Sequence, residues 1–244
     1  FVYNTAKKFE ICGWVNNSGG SVVIDLTGTE ENIKCFVLEI AKNPPTRAVI
    51  EKIRCCSLKY CEYDDFNIKE SLKVSSTMKF ISPDIATCKK CAGDVLNKNG
   101  KRYRYAFTNC SECGPRYSII KSLPYDRVST TMDEFEMCSS CKKEYNDCSN
   151  RRFHAEPNCC GKCGPSLTLM DNKGKIINCS DIITKTAELI KSGKIVAVKG
   201  IGGFHLVCDG RNESAVGELR KRKRRPDKPL AVMIKNLELV RKFC

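Results

Sequence analysis

The sequence has no apolar run approaching the roughly 20 residues that a membrane-spanning helix needs, which excludes an ordinary transmembrane segment. Its opening residues, FVYNTAKKFE, lack the apolar central region of a secretory signal. They also lack an initiator methionine and read as a helix already under way, so truncation is expected. No low-complexity tract interrupts a composition that is 41% hydrophobic and 29% charged, which is that of a folded globular chain. Neither G-x-G-x-x-G nor the P-loop pattern occurs, so neither standard phosphate-cradling loop is present. What the chain has in excess is cysteine and positive charge: 18 cysteines in 244 residues, and a formal net charge of +14.

So many cysteines suggest either a secreted disulfide scaffold or metal binding. A chain of this length can build a core and needs no staples, and eight cysteines form C-x-x-C pairs, which favours metal in a reducing, cytoplasmic compartment. Metal-bound cysteines are thiolates. Eight thiolates and two dications would lower the net charge but leave the chain basic, so a polyanionic partner is expected, a nucleotide phosphate as readily as nucleic acid.

Three styles of sequence succeed one another, and the expected fold class is α+β multidomain. Residues 1–75 read as αββαβ. ICGWV and SVVIDL are strands joined by NNSGG, whose residues tolerate the positive φ of a hairpin turn. A helix is expected from Glu30 to Lys42, with Ile33, Phe36, Val37 and Ile40 on one face and Asn43-Pro44 as its stop. AVIEKIRCCSLKY is read as a further strand. One more strand in front would complete a ferredoxin-like sandwich. Residues 82–170 show little periodicity and need another source of stability, which metal can supply. Residues 180–244 open an α/β domain: an amphipathic helix ended by Gly193, the strand KIVAVK, the turn GIGGFHL, a helix through ESAVGELRKRK and a strand PLAVMI.

The middle segment carries the most specific signal. Cys88 and Cys91 are followed after eighteen residues by Cys110 and Cys113; Cys138 and Cys141 are followed at the same interval by Cys160 and Cys163. NCSECGP answers CCGKCGP, and RYRYAFTN stands where RFHAEPNC stands in the second copy. Equal spacing with matching surroundings marks an internal repeat. Two C-x-x-C turns can place four sulfurs about 2.3 Å from one ion, which closes a tetrahedral site with no position for water. Two structural zinc ions are therefore expected at 88–113 and 138–163. Interleaved pairing, with the first pair sharing an ion with the last, stays open, as do redox-active cysteines. Cys148, Cys159 and His154 are spare; His154 could replace a ligand or simply pack. Cys12, Cys35 and Cys55 read as small hydrophobes on strands or helices.

The tandem C-x2-C-x18-C-x2-C units with their CGP endings resemble the zinc fingers of the HypF family of [NiFe]-hydrogenase maturation carbamoyltransferases. The flanks agree. GWVNNSGGSV is similar to the strand-turn-strand of acylphosphatases, and the resemblance implies that Asn17 binds the substrate carbonyl and orients the attacking water. The phosphate-cradling loop and essential arginine of that family precede the helix with which this chain begins, so the resemblance implies no acyl-phosphate hydrolysis by this chain alone. VAVKGIGGFHLVCDG and RKRKRRPDKPLAVM resemble the start of a YrdC-like nucleotide-binding domain. There the pattern K-x-R-P-x-K-P falls on Lys223, Arg225 and Lys228, and the Gly-rich strand-turn on Lys199 and His205, implying contacts to ATP, with its Mg2+, and to a carbonate-like substrate. In the family, carbamoyl phosphate is dephosphorylated to carbamate, carbamate is adenylated with ATP, and the carbamoyl group passes to the C-terminal cysteine of HypE. The zinc fingers would be the spacer between the first two sites.

A rival reading from another class is a zinc-ribbon nucleic-acid binder or scaffold. Tyr103, Tyr105 and Phe107 could stack on bases. No recognition helix follows the cysteine pairs, and the α/β flanks speak for an enzyme. Taken alone, Asn17 is an ordinary turn residue, the run RKRKRR a solvated face, and His205 a core histidine.

Overall fold

The computed structural model describes residues 1–18, 21–69, 84–114, 116–123, 125–200 and 202–242. The chain divides into two compact units, 1–165 and 166–244. In the first, helix α1 (Val2–Lys8) leads into strands β1 (Cys12–Ser18) and β2 (Ser21–Thr27), then helix α2 (Glu30–Lys42) and a short strand β3 (Phe66–Ile68). The glycines of the expected hairpin turn, Gly19 and Gly20, lie outside the described residues, as do 70–83 with the expected domain limits there.

Strand β1 is central, antiparallel to β2 with Val15 opposite Ile24, and parallel to β3 with Gly13 opposite Phe66. Gly13 has a φ of +139°, and a Cβ there would lie 2.1 Å from the Asp25 carbonyl oxygen. Only glycine lets the two strands approach so closely. Helix α2 begins where expected because the Thr29 hydroxyl accepts from the Asn32 N–H (3.2 Å), with Glu30 and Glu31 in the first turn. Its Phe36 and Ile40 are buried with Ala6, Ile11, Val15 and Phe66, and Ile33 and Val37 pack against that cluster. Both helices thus cover one face of the sheet.

The strand expected over residues 48–60 does not form. Val49, Leu58 and Tyr60 are exposed. Alternating apolar residues mark what fits a pleated surface, but a strand also needs a neighbour, and both sides of β1 are already taken by β2 and β3. The strand that does pair there is three residues long, anchored by the fully buried Phe66. The reading of Cys35 and Cys55 as packed hydrophobes is likewise corrected: both are exposed.

Residues 84–165 hold two eight-residue helices, α3 (Lys89–Leu96) and α4 (Ser139–Asn146), and 3-10 turns at Tyr117–Ile119, Arg127–Ser129 and Thr131–Glu134. Cysteines are prominent among their buried residues.

The second unit contains helix α5 (Ile182–Lys191), the hairpin β4 (Val196–Gly200) and β5 (Gly203–Val207), helix α6 (Glu213–Lys223) and a last turn α7 (Leu237–Val240). Gly193, at φ +80°, follows α5 as a left-handed residue, the C-terminal signal read from the sequence. Asn212 caps α6 by accepting from the Ala215 N–H (3.0 Å). The expected strand PLAVMI is not formed: no strand pairs with it among the described residues, and Met233 is fully exposed. Among the described residues no helix is long and apolar enough to cross a membrane.

Candidate metal centres

Each cysteine cluster is built by a helix start and a returning turn. Cys88 is the N-cap of α3, and its sulfur accepts from the Cys91 N–H (3.4 Å). Cys138 holds the same position at α4. A helix start presents unpaired N–H groups and the positive end of the dipole, and both favour thiolate over thiol. The second pair arrives on a turn closed by the Gly114 N–H on the Cys110 carbonyl (3.1 Å), repeated as Gly164 on Cys160 (2.9 Å).

The sulfurs of Cys88, Cys91, Cys110 and Cys113 lie within 4.8 Å of one another, and so do those of Cys138, Cys141, Cys160 and Cys163. The arrangement is sequential, not interleaved. Cys88–Cys110 and Cys110–Cys113 are 3.7 Å apart, Cys160–Cys163 3.8 Å and Cys138–Cys160 4.0 Å. A tetrahedron with bonds of about 2.3 Å to sulfur has edges of about 3.8 Å, the spacing required by zinc. A disulfide would need about 2.05 Å, and none is formed among the described cysteines. The donor set and its spacing therefore fit a structural zinc ion in each cluster.

Without metal, the thiols share protons unevenly. A hydrogen bond from Cys91, with backbone N–H groups of Cys113 and Glu112, brings Cys110 down to about 4. The Cys141 backbone N–H brings Cys138 down to about 7. The hydrogen bond to Cys110 and burial push Cys91 up, and burial does the same to Cys141. A bound cation would replace those protons and stabilise all four thiolates together.

Around the sulfurs lies a shell of charge that the sequence motifs do not single out. Arg102 donates to the Cys159 carbonyl (2.9 Å), to Asn158 (2.8 Å) and to both oxygens of Glu144 (2.6 and 3.2 Å), with Cys141 Sγ at 3.6 Å. Arg151 donates to Cys91 Sγ (3.0 Å), and Arg151 and Arg152 both pair with Asp94. Burial pushes the Glu144 carboxyl up, but hydrogen bonds from Arg102 and Lys101 outweigh it and hold the group at about 2. The one available signal is the repeat itself, which carries a basic pair at the same place in both copies.

The spare residues pack. His154 takes a left-handed backbone (φ 46°) and stacks on Tyr145 with ring centroids 5.0 Å apart, away from either sulfur cluster's ligand set. Cys159 is buried, its sulfur 3.1 Å from the Tyr105 hydroxyl. That contact removes Tyr105 from the trio of base-stacking candidates; Tyr103 and Phe107 remain exposed. Cys148 sits by α1, where its carbonyl accepts from Asn4 (3.3 Å).

Of the other candidates, Asn17 is exposed near the end of β1, opposite Val22 and on the same side of the strand as Val15. Its neighbour Asn16 is buried with an unpaired Oδ1. Lys199 and His205 lie exposed on the β4–β5 hairpin. Lys223 ends α6, and Arg225 and Lys228 follow in a loop that Arg220 shapes by donating to the carbonyls of Arg225, Pro226 and Lys228 (3.2, 2.8 and 3.0 Å). Among the described residues no hydrogen bond joins the hairpin pair to that loop.

Known families partition the chain in the same sequence of styles. Residues 1–68 match the acylphosphatase family, 87–120 and 137–170 the HypF finger, and 188–244 the family described as telomere recombination (Sua5, YciO, YrdC). Carbamoyltransferase HypF of Rhodobacter capsulatus is 40% identical over 99% of this chain and 32% of its own length. The Synechocystis HypF is 41% identical over 97% of the chain and 31% of its own length. A full-length HypF solved in a phosphate- and nucleotide-bound form superposes with a TM-score of 0.84 at 42% identity, over 99% of this chain and 32% of that one. The T. kodakarensis HypF gives 0.79 at 43%, over 100% and 31%. The chain thus spans about a third of the length of its curated relatives.

Proposed function

We propose, from the premise that this chain belongs to the HypF family, that it is the part of a carbamoyltransferase in which carbamoyl phosphate is opened and its carbamate handed to a nucleotide site. The observation that carries the reading is similarity at about 40% identity through all three segments in the same order, including both four-cysteine clusters.

In this reading the Asn17 amide donates to the carbonyl of carbamoyl phosphate and holds a water for attack. Water adds, the P–O bond breaks, and phosphate and carbamate result. Lys223, Arg225 and Lys228, with Lys199 and His205, would hold the triphosphate and the carbamate by their negative oxygens, and Mg2+ would come bound to the phosphate oxygens. The carbamate oxygen attacks the α-phosphorus and pyrophosphate leaves, giving carbamoyl-adenylate. A cysteine thiolate at the C-terminus of HypE then takes the carbamoyl group and releases AMP. Carbamate decomposes rapidly in water, so enclosure between sites favours this sequence. Zinc at Cys88, Cys91, Cys110 and Cys113 and at Cys138, Cys141, Cys160 and Cys163 has no open coordination position, so its contribution is structural. The phosphate-cradling arginine loop is not among these 244 residues, and we expect the chain by itself to release no phosphate from acyl phosphates.

The test has two arms. Metal analysis of the purified chain should give two zinc ions per molecule. In the carbamoyltransferase carrying this segment, Lys223→Ala and Arg225→Ala should abolish carbamoyl-phosphate-dependent exchange of pyrophosphate into ATP while phosphate release persists. Exchange at the unmutated rate would overturn the nucleotide-site assignment. Steeply salt-dependent binding of oligonucleotides by the chain would favour the nucleic-acid rival, which the exposed Tyr103 and Phe107 keep testable.

A further inference from the structure

The two cysteine modules are copies displaced by 50 positions, Cys88 onto Cys138 and Cys113 onto Cys163, and the displacement extends to the charged residues around the sulfurs. Asp94 corresponds to Glu144, Lys101 and Arg102 to Arg151 and Arg152, and Asn109 to Cys159. Their strongest polar contacts cross to the other module, although Arg152 also lies 3.9 Å from Glu144 of its own and Asn109 donates to the Phe107 carbonyl (3.0 Å). Arg102, in the loop between the ligand pairs of the first cluster, binds Glu144 and the Cys159 carbonyl of the second. Arg152, in the loop of the second, binds Asp94 and the Asn109 carbonyl of the first (3.1 Å). Lys101 places its ammonium 3.7 Å from Cys141 Sγ and 3.0 Å from Glu144, while Arg151 donates to Cys91 Sγ at 3.0 Å. The exchange is reciprocal: each loop's basic pair is spent on the other module's C-x-x-C helix. The Ser111 N–H on the Arg151 carbonyl (3.0 Å) and Asn109 on the Pro157 carbonyl (3.0 Å) tie the same loops together.

The chemistry gives this exchange a consequence. A zinc ion with four thiolates carries a net charge of about −2. Cys91 and Cys141 are fully buried, and a buried anion is costly without a cation or N–H donors beside it. Here the cations beside those two sulfurs come from the opposite module, and Arg102 and Arg152 are themselves buried, with side chains 4% and 7% exposed. A loop that is positioned by its own metal is thus the electrostatic complement of the other metal.

We propose that the two clusters form one coupled metal unit, in which Arg102 with Lys101 and Arg152 with Arg151 act as positioning residues across the modules, so that losing either ion loosens the other. The proposal rests on the reading of both clusters as zinc sites.

The test uses the zinc-loaded 244-residue chain. Native mass spectrometry first counts the metal: two ions per chain are expected, and a metal-free folded chain would sink the zinc reading itself. With two ions present, a chelator is titrated and freed cysteines are trapped with N-ethylmaleimide and mapped. Coupling predicts that zero- and two-zinc species dominate at half removal. It also predicts that Arg102→Met, which keeps the stem and removes the charge, speeds alkylation of Cys138, Cys141, Cys160 and Cys163 by roughly 10–100-fold, the usual cost of losing an outer-shell partner. Arg102→Lys, retaining the charge, should recover part of that protection. Should Arg102→Met fail to fold, Cys110→Ser separates the two cases: a coupled unit loses both ions, whereas independent sites leave a stable one-zinc chain. A dominant one-zinc species at half removal, or an Arg102→Met effect confined to Cys88–Cys113, would overturn the coupling.

Discussion

Residues 1–69 and 84–165 share one compact unit but are held together by different physics. The first has an apolar core, in which Phe36, Phe66, Ile11 and Ala6 are almost fully removed from water beneath two helices. The second has short helices and turns, and its buried positions are filled by cysteine sulfurs, by Arg102 and Arg152 with the asparagines that pair with them, and by a small cluster of Tyr105, Met132 and Cys159. Ordering each residue costs about 1–2 kcal/mol of conformational entropy in both regions. In the first, apolar burial at about 25 cal/mol per Å2 offsets it; in the second that area is missing and metal–thiolate bonds with charge-assisted hydrogen bonds must replace it. The contrast teaches that a segment with little hydrophobic periodicity can still be rigid, provided its ligands recur at fixed spacing.

Four measurements would break or sharpen this contrast. The largest effect belongs to metal removal. Structural zinc sites contribute about 10–16 kcal/mol each at neutral pH, so chelation under reducing conditions should erase amide-exchange protection in α3 and α4 while β1, β2 and α2 keep theirs. Equal loss in both regions would abolish the distinction. Next comes Phe36→Ala, which empties the centre of the apolar core and should cost about 3–5 kcal/mol in denaturant unfolding of 1–69. The zinc content should stay at two, and a fall in metal would show that the regions are not separable.

Replacing Glu144 by Gln tests the charged shell. The carboxylate is held at about 2 against an ordinary 4.5. A group whose folded value is depressed adds stability above the unfolded value and loses it as pH falls towards the folded one. The deficit of Glu144→Gln relative to the parent, about 1.5–3 kcal/mol for hydrogen bonds to a charged group, should therefore be full at pH 7 and shrink between 4.5 and 2. Protons also strip metal from thiolates in acid, so the difference between the two proteins, followed by chemical denaturation, is the quantity to read. A deficit independent of pH would assign it to packing. The smallest effect is at the helix cap: Thr29→Ala removes the acceptor for Asn32 and should cost about 1 kcal/mol, with no change in zinc retention.

The chain segments differ in how legible they are. Helix α2 is readable to both ends, because its cap, its acidic first turn and the Asn43-Pro44 stop are local signals acting within four residues. The patterns at 48–60 and in PLAVMI mislead for the opposite reason. They are correct for a pleated surface, yet whether a ladder forms depends on a partner elsewhere in the chain. Phe66–Ile68 gives no signal because three residues carry no measurable alternation. The basic pairs 101–102 and 151–152 are visible in the repeat, but nothing in one copy says that they reach into the other.

By itself the sequence determined which eight cysteines could ligate metal, since a C-x-x-C turn fixes two sulfurs through bonds that are short along the chain. It likewise determined the order of the three segments and the limits of α2, α5 and α6. Only the tertiary structure decided that the pairs close sequentially, that β3 takes the open side of β1, and that Arg102, Arg151 and Arg152 reach into the opposite module. Those choices are made by groups far apart in sequence competing for the same buried charge or strand edge, and spacing along a chain carries no record of that competition.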